Sequence, residues 1–155
     1  MLSISDVISD VIMLRRVVLD DGGNYMCQVN TDPMISQTAW LSVQIPPDID
    51  MARTSGDMTA REHQDTAQLN CRADGVPQPT IVWRREGGGN IRVRSSHQQP
   101  RTVEVWTGHT LEIPEVRRED MGAYLCIASN DVPPTVSKRI YLHVQCKEGK
   151  EKPPV

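Results

Sequence analysis

Two stretches of this chain carry one spacing, Asp-x-Gly-x-Tyr-x-Cys, and no other feature narrows the possible folds as far. One is Asp120-Met121-Gly122-Ala123-Tyr124-Leu125-Cys126; the other is Asp21-Gly22-Gly23-Asn24-Tyr25-Met26-Cys27, 99 residues earlier. Each fixed position has a physical task. Gly122 lets the chain turn tightly into a strand. Tyr124 stands two residues before Cys126, so the two-residue period of a strand puts both on one buried face. A buried phenol needs a partner for its hydroxyl, which a nearby backbone carbonyl can supply. Two copies imply two units built alike, the first of them cut short by the start of the chain.

The residues around the second copy alternate as strands do. Ala67, Leu69 and Cys71 face one way, then Gly75–Pro79 makes a turn, and Ile81 and Trp83 point inward on the next strand. Gly87-Gly88-Gly89-Asn90 reads as a hairpin turn. Ile91 and Val93 follow as a short strand C′, Val103 and Val105 as strand D, and Leu111 and Ile113 as strand E. The last strand, G, runs from about Thr135 to Val144. Trp83 lies 12 residues after Cys71, which lets an indole pack on an inter-sheet disulfide, and Tyr124 precedes Cys126 as in a tyrosine corner. Together these mark an all-β chain with an immunoglobulin-like β-sandwich. The expected organisation is one complete I-set/C2-like domain over residues 46–145, preceded over residues 1–45 by the E-F-G remnant of a V-like domain. Trp83, Asp120, Gly122 and Tyr124 are the expected structural core. The charged, proline-ended tail, 146–155, is expected to be disordered.

The 99-residue offset also reads the first unit. It pairs Ile12 with Leu111, Leu14 with Ile113 and Val17 with Val116, which makes the stretch from about Val11 a strand E. Residues 1–13 also have helical spacing at Ile4, Val7, Ile8, Val11 and Ile12, so a short amphipathic helix, or sequence foreign to the fold, stays open. Strand F spans roughly Asn24–Asn30, the loop Thr31-Asp32-Pro33-Met34 follows, and strand G runs from about Gln37 to Gln44. Three strands without an opposing sheet would leave Leu14, Tyr25, Leu41 and Val43 partly exposed, each forgoing about 1.5–3 kcal/mol of burial. Pro46-Pro47 cannot donate to a ladder and marks the boundary, with too few residues for a flexible tether.

Cys71 and Cys126 are 55 residues apart and both expected to face the core, so we expect them bonded. Closing such a loop contributes roughly 4 kcal/mol in the chain-entropy description. Cys27 and Cys146 have no evident partner; a bond between them is conceivable but would join different units. Disulfides call for an oxidising compartment. Yet the first residues lack a basic start, and Asp6 and Asp10 interrupt their apolar run, so they are not a secretion signal. We read the chain as a fragment, or an incompletely joined piece, of a longer exported protein.

Composition excludes several classes. A net charge of −3 argues against a nucleic-acid binder. No run of about 18 apolar residues offers a transmembrane helix, so membrane attachment would come only through an anchor missing from this chain. His63, His97, His109 and His143 are widely spaced and match no metal-ligand or catalytic pattern, so no metal, cofactor or catalytic residue is expected. Gly87-Gly88-Gly89 is not followed by Lys-Ser/Thr, so it is a turn and not a phosphate loop. Arg84-Arg85 and Arg92-Val93-Arg94 would form either a basic stripe suited to an acidic glycan or an ordinary charged face balanced by Glu86, Glu115 and Asp120.

Tyr25-Met26-Cys27-Gln28-Val29-Asn30-Thr31-Asp32-Pro33-Met34 and Ile45-Pro46-Pro47-Asp48-Ile49 resemble one family, as do Val82-Trp83-Arg84-Arg85-Glu86 and the run Met121–Asn130 with Val132–Lys138. The chain resembles insect lachesin and the Dpr-interacting proteins, neuronal cell-surface immunoglobulin proteins related to the vertebrate IgLON group. The resemblance covers about residues 14–144, and departs at 1–13, at Ala60–Asp65 and after Val144. It implies a non-enzymatic adhesion or recognition protein at the cell surface, with no signal peptide or anchor in this chain. Its partners would be other immunoglobulin-superfamily surface proteins, Dpr-like or self, met through the outer face of the sheet bearing strands F and G. Alternation then nominates Met26, Gln28, Asn30, Thr38 and Trp40, with Asp32 and Met34 in the adjoining loop, as partner-binding residues. A secreted soluble decoy isoform and the ectodomain of a receptor-type enzyme stay open as alternatives.

Overall fold

A computed structural model describes residues 12–94 and 101–146. The chain divides into two compact units, Met1–Val43 and Gln44–Val155. Residues 1–11, 95–100 and 147–155 lie outside the described residues, and with them most of the 1–13 segment that has helical spacing and the tail beyond Cys146.

Unit 1 is a two-stranded antiparallel hairpin, β1 (Gly23–Val29) and β2 (Ile35–Leu41), entered through a 3-10 turn at Leu19–Asp21. The register runs from Gly23 opposite Leu41 to Val29 opposite Ile35. β2 begins and ends earlier than expected because the short Thr31–Met34 loop brings Ile35 and Ser36 directly against Val29 and Gln28. The strand E expected from about Val11 is not formed over residues 12–18. A strand exists only as part of a ladder, and no described residue of unit 1 supplies its partner. Tyr25, Leu41 and Val43 are half-buried, and most other described side chains of the unit are exposed.

Unit 2 is a closed sandwich. Its strands are β3 (Ile45–Ile49), β4 (Met58–Arg61), β5 (Ala67–Asn70), β6 (Ala73–Val76), β7 (Thr80–Arg85), β8 (Ile91–Val93), β9 (Arg101–Val103), β10 (Trp106–Thr107), β11 (Thr110–Ile113), β12 (Gly122–Ser129) and β13 (Val136–Gln145). One sheet has the order β10-β7-β12-β13-β4, with β4 parallel to β13 and the other pairs antiparallel. The remaining strands pair as β5–β11, β3–β6 and β8–β9. Alternation decides which side chains go inside. Ala67 and Leu69 in β5, Ile81 and Trp83 in β7, and Tyr124, Cys126 and Ala128 in β12 are buried at two-residue spacing. Trp83, Tyr124, Leu69, Leu111, Ile113, Ile140 and Leu142 pack around Cys71 and Cys126.

One strand goes elsewhere than the alternation suggested. β8 does not hairpin onto β7 as a C′ strand; it pairs with β9, Ile91 opposite Val103. The outer neighbour of β7 is β10, with Trp106 opposite Trp83. Ile91 and Val93 are 1% and 0% exposed. Both residues join the core cluster, while Arg92 between them is half-buried. Val105, expected on strand D, lies outside β9 and is exposed.

Candidate functional site

The repeated motif builds the same turn in both units. Arg16 and Glu115 hold positive φ, 55° and 45°. The Val18 and Arg117 amides donate to Asp21 Oδ2 and Asp120 Oδ2, each at 2.8 Å. A 3-10 turn follows each, and Gly23 and Gly122 leave it at φ 147° and 144°, a conformation that favours glycine. The Tyr25 hydroxyl donates to Asp21 O at 2.7 Å, and that of Tyr124 to Asp120 O at 2.8 Å. This corner aims each tyrosine, and the cysteine two residues on, at one face of the following strand.

The turn of unit 2 has further supports. Asp120, 4% exposed, also accepts from Arg92 Nε at 3.1 Å, and the guanidinium reaches Glu115 O at 3.1 Å. Arg85 donates to Glu119 O and Met121 O, both at 2.8 Å, and lies 5.5 Å from the Tyr124 ring centroid. Burial pushes the Tyr124 hydroxyl up to about 12. At the foot of β13, Arg118 hydrogen-bonds Glu62 and holds its carboxyl down at about 2. Arg85 and Arg92 are therefore ties to the tyrosine corner, and the basic stripe is not formed. Arg84 and Arg94 are exposed.

The residues nominated for partner binding fall together on unit 1. Asn24 pairs with Trp40, Met26 with Thr38 and Gln28 with Ser36, so these six side chains share one face of the hairpin. Met26 is 62% exposed, Met34 60% and Trp40 71%. Gln28 Nε2 donates to Asn30 Oδ1 at 3.0 Å, which fixes the polar end of the face beside the loop holding Asp32 and Met34. Asn24 and Ser36 belong to this face by register and were not singled out in the sequence, although alternation extends to both. Ile12, Leu14, Tyr25, Ala39, Trp40 and Leu41 line an open hollow of about 260 Å³.

Cys71 and Cys126 are bonded, with Cα atoms 6.4 Å apart. Cys27 and Cys146 are free and exposed, so no bond joins them. His63, His109 and His143 are exposed, and His97 lies outside the described residues. Among the described residues, no group of three His, Cys, Asp or Glu side chains could hold a metal ion, and no helix is long and apolar enough to cross a membrane.

Residues 46–130 match the family model described as Immunoglobulin domain. The chain belongs to the immunoglobulin domain family. Among curated relatives of this immunoglobulin chain, Lachesin of Drosophila melanogaster is 33% identical over 136 residues, covering 86% of the chain and 35% of Lachesin. Cell adhesion molecule DSCAM of Gallus gallus is 32% identical, over 85% of the chain and 6% of its own length. The chain thus spans about a third of Lachesin. Among solved structures, Dpr2 Ig1-Ig2 in complex with DIP-Theta Ig1-Ig3 matches at 50% identity with TM-score 0.68, covering 84% of the chain and 43% of the matched chain. DIP-gamma IG1+IG2 matches at 47% identity with TM-score 0.67, over 84% and 62%.

Proposed function

We propose that this immunoglobulin chain belongs to a non-enzymatic cell-surface protein of neuronal adhesion or recognition, and that it meets other immunoglobulin-superfamily proteins through unit 1. Residues 1–45 supply strands F and G of a first immunoglobulin-like domain, and residues 46–145 form a complete second one that acts as a spacer. The observation that carries the reading is the exposed face Asn24, Met26, Gln28, Ser36, Thr38 and Trp40. Aromatic and methionine side chains ringed by neutral polar groups are what the centre of a protein interface prefers. Two solved relatives, named as a Dpr2 complex with DIP-Theta and as Dpr11 IG1 bound to DIP-gamma, join immunoglobulin domains to one another. They point to a Dpr-like partner, or to a like copy.

The test is surface plasmon resonance with the intact chain immobilised and Dpr-type first domains, or the chain itself, in solution. Trp40→Ala is expected to weaken binding by at least about tenfold, as for a central aromatic contact, and Gln28→Ala by less. Unchanged affinity in the double variant would contradict the reading.

A further inference from the structure

The segment entering unit 2 is poorly supplied with backbone donors. β3 contains Pro46 and Pro47, neither of which has an N–H. Its pairing with β6 accordingly breaks: Ile45 is opposite Val76, the register then shifts, and pairing resumes only at Asp48 opposite Asp74. The Ile45 end is thus held by one isolated rung.

A side chain distant in sequence supports this end of the segment. Asn130, one residue past β12, donates from Nδ2 to Ile45 O and to Pro77 O, both at 2.8 Å. Its Oδ1 accepts from the Val132 amide at 3.2 Å. One carboxamide therefore joins the entering segment, the turn after β6 and the turn after β12. The space beneath it is fitted. A Cβ on Gly75 would stand 3.0 Å from Asn130 Nδ2 and 3.2 Å from Ile45 O, so any larger residue here would crowd the amide and the carbonyl it holds.

We propose that the Asn130 carboxamide, seated over Gly75, is a positioning clamp that holds the Ile45 carbonyl where Pro46 and Pro47 leave the ladder short of donors, and so fixes the path of the chain into unit 2. Any tension carried through Ile45 then bears first on this clamp and on the single Ile45–Val76 rung. The clamp is independent of whether unit 1 binds a partner.

Hydrogen exchange on the intact, disulfide-bonded chain tests it. Asn130→Ala and Gly75→Ala should each speed exchange at Ile45 and Val76 by about tenfold, the net loss of roughly one hydrogen bond, with Leu69, Trp83 and Cys126 unchanged. Asn130→Asp keeps the acceptor for Val132 but loses the donor. At neutral pH it should match Asn130→Ala, and protection should return, after correction for intrinsic rates, once the new carboxyl is protonated below about pH 4. Wild-type protection at Ile45 and Val76 in both the alanine and aspartate variants would overturn the proposal. So would a uniform rise across β5, β7 and β12, which would make Asn130 a general stability residue.

Discussion

Asp21–Cys27 and Asp120–Cys126 are one turn in two settings. The backbone is the same in detail, from the positive-φ residue through the 3-10 turn to the tyrosine–carbonyl hydrogen bond. What surrounds it differs. Tyr124 and Cys126 are 1% and 0% exposed under an opposing sheet, whereas Tyr25 is half-buried and Cys27 is exposed. Asp120 is paired with Arg92, while Asp21 caps only the Val18 amide. The turn is therefore local: ten residues, Arg16–Tyr25 or Glu115–Tyr124, hold it together through an aspartate, a glycine and the tyrosine. The enclosure is not local, because it needs a second sheet, a cysteine and an arginine from distant strands. Local hydrogen bonds shape the corner, and burial turns it into stability.

That contrast can be broken or sharpened by substitution. The largest effect belongs to the bridge. Replacing Cys71 and Cys126 together by alanine removes a 55-residue closed loop and should cost unit 2 about 4 kcal/mol in chemical denaturation. Cys27→Ser should leave the same transition where it is, because Cys27 is exposed and unbonded.

The two tyrosines come next. Tyr124→Phe leaves Asp120 O buried without its donor and should cost about 1–3 kcal/mol; Tyr25→Phe, at a partly exposed site, should cost a few tenths. Alkaline pH sharpens the difference. Burial raises the folded-state value of Tyr124 from 10.0 to about 12, so the neutral phenol is favoured by folding. The associated stability is complete below pH 10 and is lost as pH rises toward 12, roughly 3 kcal/mol in all. Tyr124→Phe should flatten that part of the pH–stability curve, and an unchanged slope would contradict the assignment.

At the acid end the effect is smallest. Arg118 holds Glu62 at about 2, against 4.5 for a free carboxyl. The pair's contribution is therefore present above pH 4.5 and disappears as pH falls through 2. Glu62→Gln should remove that acid-side slope. Arg118 is exposed although Glu62 is largely covered, so the change should be slight and weaker still in high salt.

Much of this fold could be read from spacing. Alternation at Ala67–Leu69–Cys71, at Ile81–Trp83 and at Tyr124–Cys126 depends only on the two-residue period of a strand and on what a core accepts. The face of unit 1 followed from the same rule, and its register added Asn24 and Ser36. Strand partners were less legible. Gly87–Asn90 can turn the chain without fixing which strand comes next, and Ile91–Arg92–Val93 reads equally well as an edge strand or as a buried one. In the structure Ile91 and Val93 are buried and Arg92 between them reaches Asp120, 28 residues away, contacts that no local pattern announces. The expected strand near Ile12–Leu14 went astray for the converse reason: its side chains have the right period, but a ladder needs a partner. Asn130 stood in the sequence only as the end of the run Met121–Asn130, because its role depends on two prolines 83 and 84 residues earlier.

The most direct measurement is native-state hydrogen exchange on the intact chain, reading the amides of β1 and β12 side by side. Tyr124 and Cys126 should exchange only on global unfolding of unit 2, while Tyr25 and Cys27, in an uncovered hairpin, should exchange orders of magnitude faster. Equal protection in the two strands would show that the turn alone confers stability, and would contradict the account.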